Sequence, residues 1–115
     1  MSKIALIGGT GLNRLEGLDI VREHEVQTPW GECSHRVQQG RFHDSDVFFL
    51  ARHGVPHQIP PHRINYRANI WALRELGVTK IIGVNAVGGI ERSWPPGFIA
   101  LPDQLIDYTY GREHT

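Results

Sequence analysis

The nine residues Lys3-Ile4-Ala5-Leu6-Ile7-Gly8-Gly9-Thr10-Gly11 decide the fold, because a largely apolar run passes directly into a glycine-rich turn. Such a run, ended by two glycines, is typical of a strand that is buried on both faces of a sheet. The glycines let backbone N–H groups converge on an anion without interference from a Cβ atom, and Thr10 adds a hydroxyl donor. The stretch therefore predicts a central strand whose carboxyl end binds an oxyanion.

Two more predicted strands end in the same way. The apolar run 46–51 is followed by Arg52-His53, and the run 80–84 is followed by Asn85-Ala86-Val87-Gly88-Gly89. Arginine offers a planar, permanently charged fork that suits phosphate, and histidine adds a second polar contact. Ligand sites of α/β sheets lie at the carboxyl ends of strands, so the three turns are expected to meet in one phosphate pocket.

The remaining strands complete a mixed α/β fold, in which helices flank a central mixed β-sheet. Residues 34–41 are expected to pair with 46–51 as a hairpin around the turn 43–45. Residues 20–26 form a weak strand, and Thr28-Pro29-Trp30-Gly31 is a turn. The last two predicted strands span Phe98–Leu101 and Gln104–Thr109. Because no helix follows them to cover the sheet, we expect an N-terminal piece of a longer protein, either truncated or separated from its second half.

One helix is predicted over residues 64–76. Pro60 and Pro61 open it, and Gly77 ends it as a left-handed cap. Its expected buried stripe has helical spacing and consists of Tyr66, Ile70, Leu73 and either Leu76 or Gly77. Charged residues face away from this stripe: Arg67, Arg74 and Glu75.

The composition narrows the function classes. The 115 residues include 12 basic and 12 acidic ones, so the balanced charge indicates neither a nucleic-acid scaffold nor a membrane surface. No apolar run is long enough to span a bilayer. A single cysteine, Cys33, excludes an internal disulfide and suits a reducing cytosol. The first three residues lead into a strand without a signal-peptide core, which predicts a cytoplasmic protein.

Other interpretations of the motifs are weaker. A dinucleotide-binding fingerprint would need its third glycine where Arg14 stands, although a glycine turn can also be purely structural. His53, His57 and His62 suggest a zinc site, but Gly54 and Pro56 break any helical face and no further ligand completes the set, so no metal is predicted. Cys33 lacks a paired base and is interpreted as a spectator.

Five blocks carry a family resemblance, and they occur in the expected order and spacing: Gly8–Leu12, Thr28–Gly31, Leu50–Gly54, Asn65–Leu73 and Asn85–Gly89. Together they resemble the methylthioadenosine and methylthioinosine phosphorylases, a branch of the trimeric purine nucleoside phosphorylases. The resemblance covers essentially the whole chain, and the helix block is its most specific part. The ending, Asp107–Thr115, is most similar to the bacterial methylthioinosine type.

The resemblance implies a purine nucleoside phosphorylase-like fold, with residues 1–115 as the N-terminal portion of a single phosphorylase domain. It implies a cytoplasmic homotrimer without a cofactor, in which inorganic phosphate is the co-substrate and a purine nucleoside the other small-molecule partner. Thr10, Arg52 and His53 would bind phosphate. Asn85 and Ala86 take the place of a Thr-Ala pair in the methylthioadenosine enzymes; Asn85 puts the hydroxyl contact in doubt.

The resemblance also implies what this chain lacks. Family members are about twice as long, and their purine and ribose contacts lie in the second half, so no catalytic residue is assigned here. The implied reaction is phosphorolysis of S-methyl-5'-thioinosine to hypoxanthine and 5-methylthioribose 1-phosphate. Three alternatives remain open: S-methyl-5'-thioadenosine or a general purine nucleoside as substrate, a dinucleotide enzyme, and an inactive fragment that serves only in assembly, possibly with a second C-terminal fragment.

Overall fold

The structure is a computed structural model that describes residues 2–113. Met1 lies outside the described residues, as do the last two residues of the Asp107–Thr115 block. The regular elements are five strands, one 3₁₀ turn and one helix. In chain order they are β1 (Ile4–Gly8), β2 (Leu18–His24), β3 (Val37–Phe42), β4 (Ser45–Ala51), the 3₁₀ turn (Pro61–Arg63), α1 (Tyr66–Glu75) and β5 (Lys80–Gly83).

The five strands form one mixed sheet, as predicted, and their order in it is β2-β3-β4-β1-β5. β1 is parallel to both β4 and β5, whereas β2, β3 and β4 pair in antiparallel fashion. The predicted hairpin is confirmed, since Phe42 pairs with Ser45 across the turn. Gly8 pairs with Ala51, and Ile7 pairs with Gly83, so the carboxyl ends of β4, β1 and β5 lie side by side.

The core lies between the sheet and α1. Its buried members come from three strands and the helix: Ala5, Val37, Phe48, Leu50 and Leu73. The sequence placed Leu73 correctly, but Tyr66 and Ile70 were wrongly predicted to be buried, because they are 40% and 48% exposed. The helix instead buries Ala68 and Ala72. Small side chains let a helix approach a sheet closely, and an interpretation based on large apolar residues misses that face.

The two ends of α1 differ in how well the sequence predicted them. The predicted start near Ile64 is wrong, since the prolines lead into the 3₁₀ turn and α1 begins only at Tyr66. Asn65 is the N-cap, and its side-chain oxygen accepts a hydrogen bond from the Ala68 N–H at 3.1 Å. At the other end Gly77 adopts φ +81°, so the predicted left-handed cap is confirmed.

The last third of the described chain differs most from the predictions. Phe98–Leu101 and Gln104–Thr109 are not strands; both segments are exposed and irregular. The strand at 80–83 forms, but it is exposed rather than buried. An extended segment becomes a strand only when a neighbouring backbone accepts its hydrogen bonds, and the outer edge of β5 has no such neighbour within residues 2–113.

The accessible surface is large for the mass of the chain. It amounts to 9046 Å², whereas a folded monomer of 13.0 kDa is expected to expose about 6,300 Å². Many apolar side chains contribute to this surface from β5 onward, for example Ile82, Ile90, Leu101 and Leu105. Within residues 2–113, no helix combines the length and the apolar character that crossing a membrane would require.

Candidate anion-binding site

The glycine turn after β1 is shaped by close backbone approach. Gly8 and Gly9 are buried, and the Leu12 N–H donates to the Gly9 carbonyl at 2.8 Å. A Cβ atom on Gly8 would overlap the Leu12 carbonyl oxygen, and one on Gly9 would overlap the Arg52 guanidinium. Glycine is therefore required at position 8 by the backbone around it, whereas a side chain at position 9 would displace the Arg52 guanidinium, which lies directly against the turn.

Arg52 connects the ends of three strands. It follows β4, its backbone N–H donates to the carbonyl of Gly8 at the end of β1 at 3.0 Å, and its guanidinium lies against Gly9. The Nη1 atom donates to the carbonyl of Val84, just beyond β5, at 2.7 Å. A guanidinium has five N–H donors, so this contact leaves others free for an anion.

Three of the predicted residues border this contact. Thr10 follows Gly9 and is exposed, and the exposed Asn85 and Ala86 follow Val84. The Val84 N–H donates to the Ile7 carbonyl at 3.0 Å, which fixes the exit of the chain from β5 beside β1. The structure thus brings the three predicted turns to one edge of the sheet, where the Arg52 side chain contacts Gly9 in the first turn and the Val84 carbonyl just before the third.

His53 is held in a compact loop next to Arg52. Its side chain is buried, and its Nδ1 lies 2.7 Å from the carbonyl oxygen of Ile59. The backbone carbonyl of His53 accepts hydrogen bonds from the N–H groups of Gln58 and Ile59 at 3.0 and 2.9 Å. The loop from 53 to 59 therefore closes on itself and fixes the direction of the imidazole.

The histidines among residues 2–113 do not assemble a metal centre. The rings of His53 and His57 contact edge to face, with centroids 4.3 Å apart. No group of three His, Cys, Asp or Glu side chains within residues 2–113 is arranged to hold a metal ion.

Two asparagines, the N-cap Asn65 and Asn69 of α1, fasten the loop between β2 and β3, a role that the sequence interpretation did not assign. Asn65 donates through Nδ2 to the Trp30 carbonyl at 2.7 Å. Asn69 accepts from the Ser34 N–H and donates to the Ser34 hydroxyl, both at 2.9 Å. Their spacing of four residues puts both amides on one side of a helix, and this spacing was the available signal. The loop in turn lies close to the site, because a Cβ on Gly54 would come within 3.3 Å of the Ser34 carbonyl oxygen.

Cys33 lies in the same loop and has no base beside it. Its Sγ donates weakly to the Ala68 carbonyl at 3.5 Å, and burial raises the pKa of the thiol above its ordinary value of 9.0. A thiol in such surroundings is a poor nucleophile, which agrees with its interpretation as a spectator.

A cleft of about 450 Å³ lies elsewhere, between Tyr66 and the segment 107–113, and none of the five predicted residues lines it. Arg112 donates to the Pro61 carbonyl at 3.0 Å across this cleft, and Glu113 pairs with Arg67 at 3.1 Å. The side chain and backbone of Thr109 donate to Asp107, and these bonds lower the pKa of the Asp107 carboxyl. The contacts fold the segment onto the start of α1.

Comparisons with known proteins show the family of this chain. A family model described as the phosphorylase superfamily matches residues 3–115. The chain is 51% identical to a probable S-methyl-5'-thioinosine phosphorylase from Pseudomonas syringae pv. tomato, covering 100% of this chain and 47% of that protein. It is 49% identical to an S-methyl-5'-thioadenosine phosphorylase from Hyperthermus butylicus, covering 97% of this chain and 41% of that one.

The structural comparison points the same way. Methylthioadenosine phosphorylase from Schistosoma mansoni, solved in complex with adenine, superposes with a TM-score of 0.93 at 39% identity, covering 100% of this chain and 42% of that one. The predicted fold is thereby confirmed. The chain spans about half the length of the curated relatives it matches.

Proposed function

Since this chain belongs to the phosphorylase superfamily, we propose that it supplies the phosphate-binding half of an enzyme that cleaves a purine nucleoside by phosphorolysis. The substrate we favour is S-methyl-5'-thioinosine, and the products are hypoxanthine and 5-methylthioribose 1-phosphate. One observation carries the proposal. Arg52 follows β4 in the chain, and its guanidinium contacts both the turn after β1 and the Val84 carbonyl beyond β5. A cation placed at three adjacent strand ends is suited to one small anion.

In the proposed reaction, phosphate attacks the anomeric carbon of the nucleoside and the bond to the purine breaks. The transition state carries positive charge on the sugar ring, so the phosphate both attacks the ring and stabilises it. The chain contributes mainly position and electrostatics. Arg52 would hold the anion as a fork, Thr10 would donate its hydroxyl, and the backbone N–H groups of the glycine turn would add further donors.

The other predicted ligands complete the anion site. His53 would contact phosphate through the ring nitrogen that Ile59 leaves free. Ala86 would donate its backbone N–H. Asn85 would offer a side-chain amide at the position where the family resemblance implies a threonine hydroxyl in the methylthioadenosine enzymes. No resident metal or organic cofactor is part of the proposal, because phosphate itself is the second substrate.

The choice of nucleoside rests on the relatives. Four relatives named as probable S-methyl-5'-thioinosine phosphorylases are 48% to 52% identical, and a relative from Thermococcus kodakarensis named as a probable 6-oxopurine nucleoside phosphorylase is 46% identical. A 6-oxo purine is therefore favoured. S-methyl-5'-thioadenosine and general purine nucleosides are the alternative substrates, since a thioadenosine phosphorylase stands at 49%.

The purine and ribose contacts would come from a second polypeptide segment. The chain exposes roughly 40% more surface than expected for its mass, and the excess includes apolar side chains of β5 such as Ile81 and Ile82. A C-terminal segment seated on this face would cover it and complete the pocket. We further propose that the complete unit assembles as a homotrimer and works in the cytoplasm.

The test is a complementation assay. The chain is incubated with S-methyl-5'-thioinosine and phosphate, alone and with a separately produced C-terminal half of the Pseudomonas syringae relative. We expect hypoxanthine release that depends on phosphate and requires both polypeptides. The same mixture with Arg52→Ala is the control and should be inactive. Release that does not depend on phosphate, or undiminished activity of the Arg52→Ala mixture, would contradict the proposal.

The large exposed surface also favours a second candidate, a non-catalytic assembly module. This alternative predicts a stable complex with the C-terminal half but no phosphate-dependent release of purine. The dinucleotide alternative has less support, because Arg14, which occupies the position of the missing glycine, is exposed and pairs with Glu16 at 3.9 Å.

A further inference from the structure

His53 differs chemically from the other residues of the anion site. Its Nδ1 lies 2.7 Å from the Ile59 carbonyl oxygen. A carbonyl oxygen can only accept a hydrogen bond, so Nδ1 must carry the proton. In the neutral imidazole the second nitrogen, Nε2, is then unprotonated and acts as an acceptor.

The surroundings hold this tautomer in place. His53 is only 5% exposed, and its backbone carbonyl accepts the N–H groups of Gln58 and Ile59. The ring of His57 packs against the imidazole with its edge. A flip of the ring would put a carbon in the place of Nδ1, and the other tautomer would leave Nδ1 unprotonated, so either change would leave the Ile59 carbonyl without this donor.

Nε2 is available to a ligand. It has no hydrogen-bond partner within residues 2–113. Among these residues, Arg67 Nε is the one side-chain polar atom that is both fully enclosed and unpaired, so the unpaired Nε2 of His53 is not fully enclosed. His53 directly follows Arg52, so this acceptor belongs to the same strand end as the guanidinium.

Arg52 and His53 thus bind different chemical features of an anion. Arg52 donates, and any oxyanion satisfies it. The neighbouring acceptor, His53 Nε2, forms a hydrogen bond only with an anion that carries a proton. Near neutral pH hydrogen phosphate carries one P–OH group, whereas sulfate, of the same shape and charge, carries none. An acceptor that faced sulfate would meet an oxygen lone pair and would repel it.

We propose that His53 is a specificity-determining residue, whose Nε2 accepts the P–OH of hydrogen phosphate and so makes the site prefer phosphate to sulfate. This inference rests on the proposed phosphate site. The hydrogen bond also orients the ligand, because it directs the protonated oxygen to His53 and leaves the three unprotonated oxygens for Arg52 and the nucleoside.

The first test needs no ligand. Long-range ¹H–¹⁵N NMR correlations of the chain at pH 8 identify which ring nitrogen of each histidine carries the proton. At this pH an ordinary imidazole is neutral. We expect a protonated Nδ1 and an unprotonated Nε2 at His53. The opposite tautomer would overturn the inference whatever the anion affinities.

The second test titrates the chain with inorganic phosphate and with sulfate at pH 8, following the backbone amides of Gly9 and Gly54. We expect phosphate to bind at least about tenfold more tightly than sulfate, which corresponds to one hydrogen bond to a charged group. In His53→Asn the amide nitrogen still reaches the position of Nδ1 but Nε2 is lost, so the preference should fall to near unity. His62→Asn, at an exposed position in the 3₁₀ turn outside this loop, is the matched control and should keep the preference.

The outcomes separate the two proposals. Equal affinity for phosphate and sulfate in the unchanged chain, or a preference that survives His53→Asn, overturns the role of His53 and leaves the phosphate site standing. Binding of neither anion by a chain that NMR shows to be folded overturns the phosphate site itself, and this inference with it.

Discussion

Gly9 shows how one missing side chain positions another residue. The Arg52 guanidinium occupies the space in which a Cβ of residue 9 would lie, and from there it reaches the Val84 carbonyl. The sequence predicted flexible glycines that bind an anion through their N–H groups. The structure adds that Gly9 also makes room for the cation.

This placement predicts the effect of Gly9→Ala. The new methyl group would displace the guanidinium, so phosphate affinity should fall at least about tenfold, the equivalent of one hydrogen bond to a charged group. Phosphate titration followed by NMR measures the change. Gly83→Ala is the matched control, because a Cβ there meets nothing within 4 Å and φ is not positive. An affinity for phosphate that Gly9→Ala leaves unaltered would show that Arg52 is not positioned by this turn.

Cys33 gives a second prediction at the residue scale. Burial raises the pKa of its thiol above 9.0, so at pH 8 the folded chain should contain less thiolate than the unfolded chain. Alkylation by iodoacetamide should therefore be slower in buffer than in denaturant. The thiol stays protonated to higher pH in the folded state than in the unfolded state. Cys33 should therefore not affect the free energy of unfolding below about pH 9 and should lower it as the pH rises further. Equal alkylation rates would contradict the burial of this thiol.

At the scale of elements, α1 illustrates what a hydrophobic pattern omits. Helical spacing predicted a stripe of large residues, but the helix packs through Ala68, Ala72 and Leu73. The buried amide of Asn69, which is 2% exposed, lies on the same side and holds Ser34. The helical periodicity correctly predicted a helix, but the small and polar residues determine which of its faces meets the sheet.

The two interpretations of α1 predict different stabilities for two variants. Leu73→Ala should lower the free energy of unfolding by about 2–5 kcal/mol, as expected for a fully buried leucine. Ile70→Ala should cost less than about 1 kcal/mol, because nearly half of this side chain is already exposed. Urea denaturation of the two variants measures the difference. Equal losses would support the face predicted from the sequence.

Among the strands, too, some features follow from the local sequence and others depend on distant parts of the chain. The strands that pair within the chain, such as β4 and β1, could be predicted from apolar runs ended by turns. Phe98–Leu101 and Gln104–Thr109 carry a similar local pattern but remain irregular. Their state depends on a backbone partner, and no local pattern reports whether such a partner is present.

At the scale of the whole molecule, the site is organised by topology. Residues near positions 9, 52 and 84 meet because β4, β1 and β5 run parallel and end together. The order of the strands was not predictable from periodicity, but the repeated strand–turn pattern was enough to predict that the three ends meet. The tautomer of His53 was not predictable, because it depends on a carbonyl six residues away in a loop.

The exposed apolar surface predicts the behaviour of the isolated chain. With 9046 Å² exposed, the chain should bind the dye ANS more strongly than a folded protein of equal mass. Adding the C-terminal half of a relative should reduce the dye fluorescence as the surface is covered. Fluorescence titration measures both effects. Dye binding that the added half leaves unchanged would show that this surface is not its docking face.

The central claim is that three strand ends form one phosphate site, and a crystal structure of the chain with inorganic phosphate tests it most directly. The account predicts one anion within hydrogen-bond distance of both the Arg52 guanidinium and the Thr10 hydroxyl. An anion bound elsewhere, or Arg52 and Thr10 facing regions too distant to share one phosphate, would contradict it.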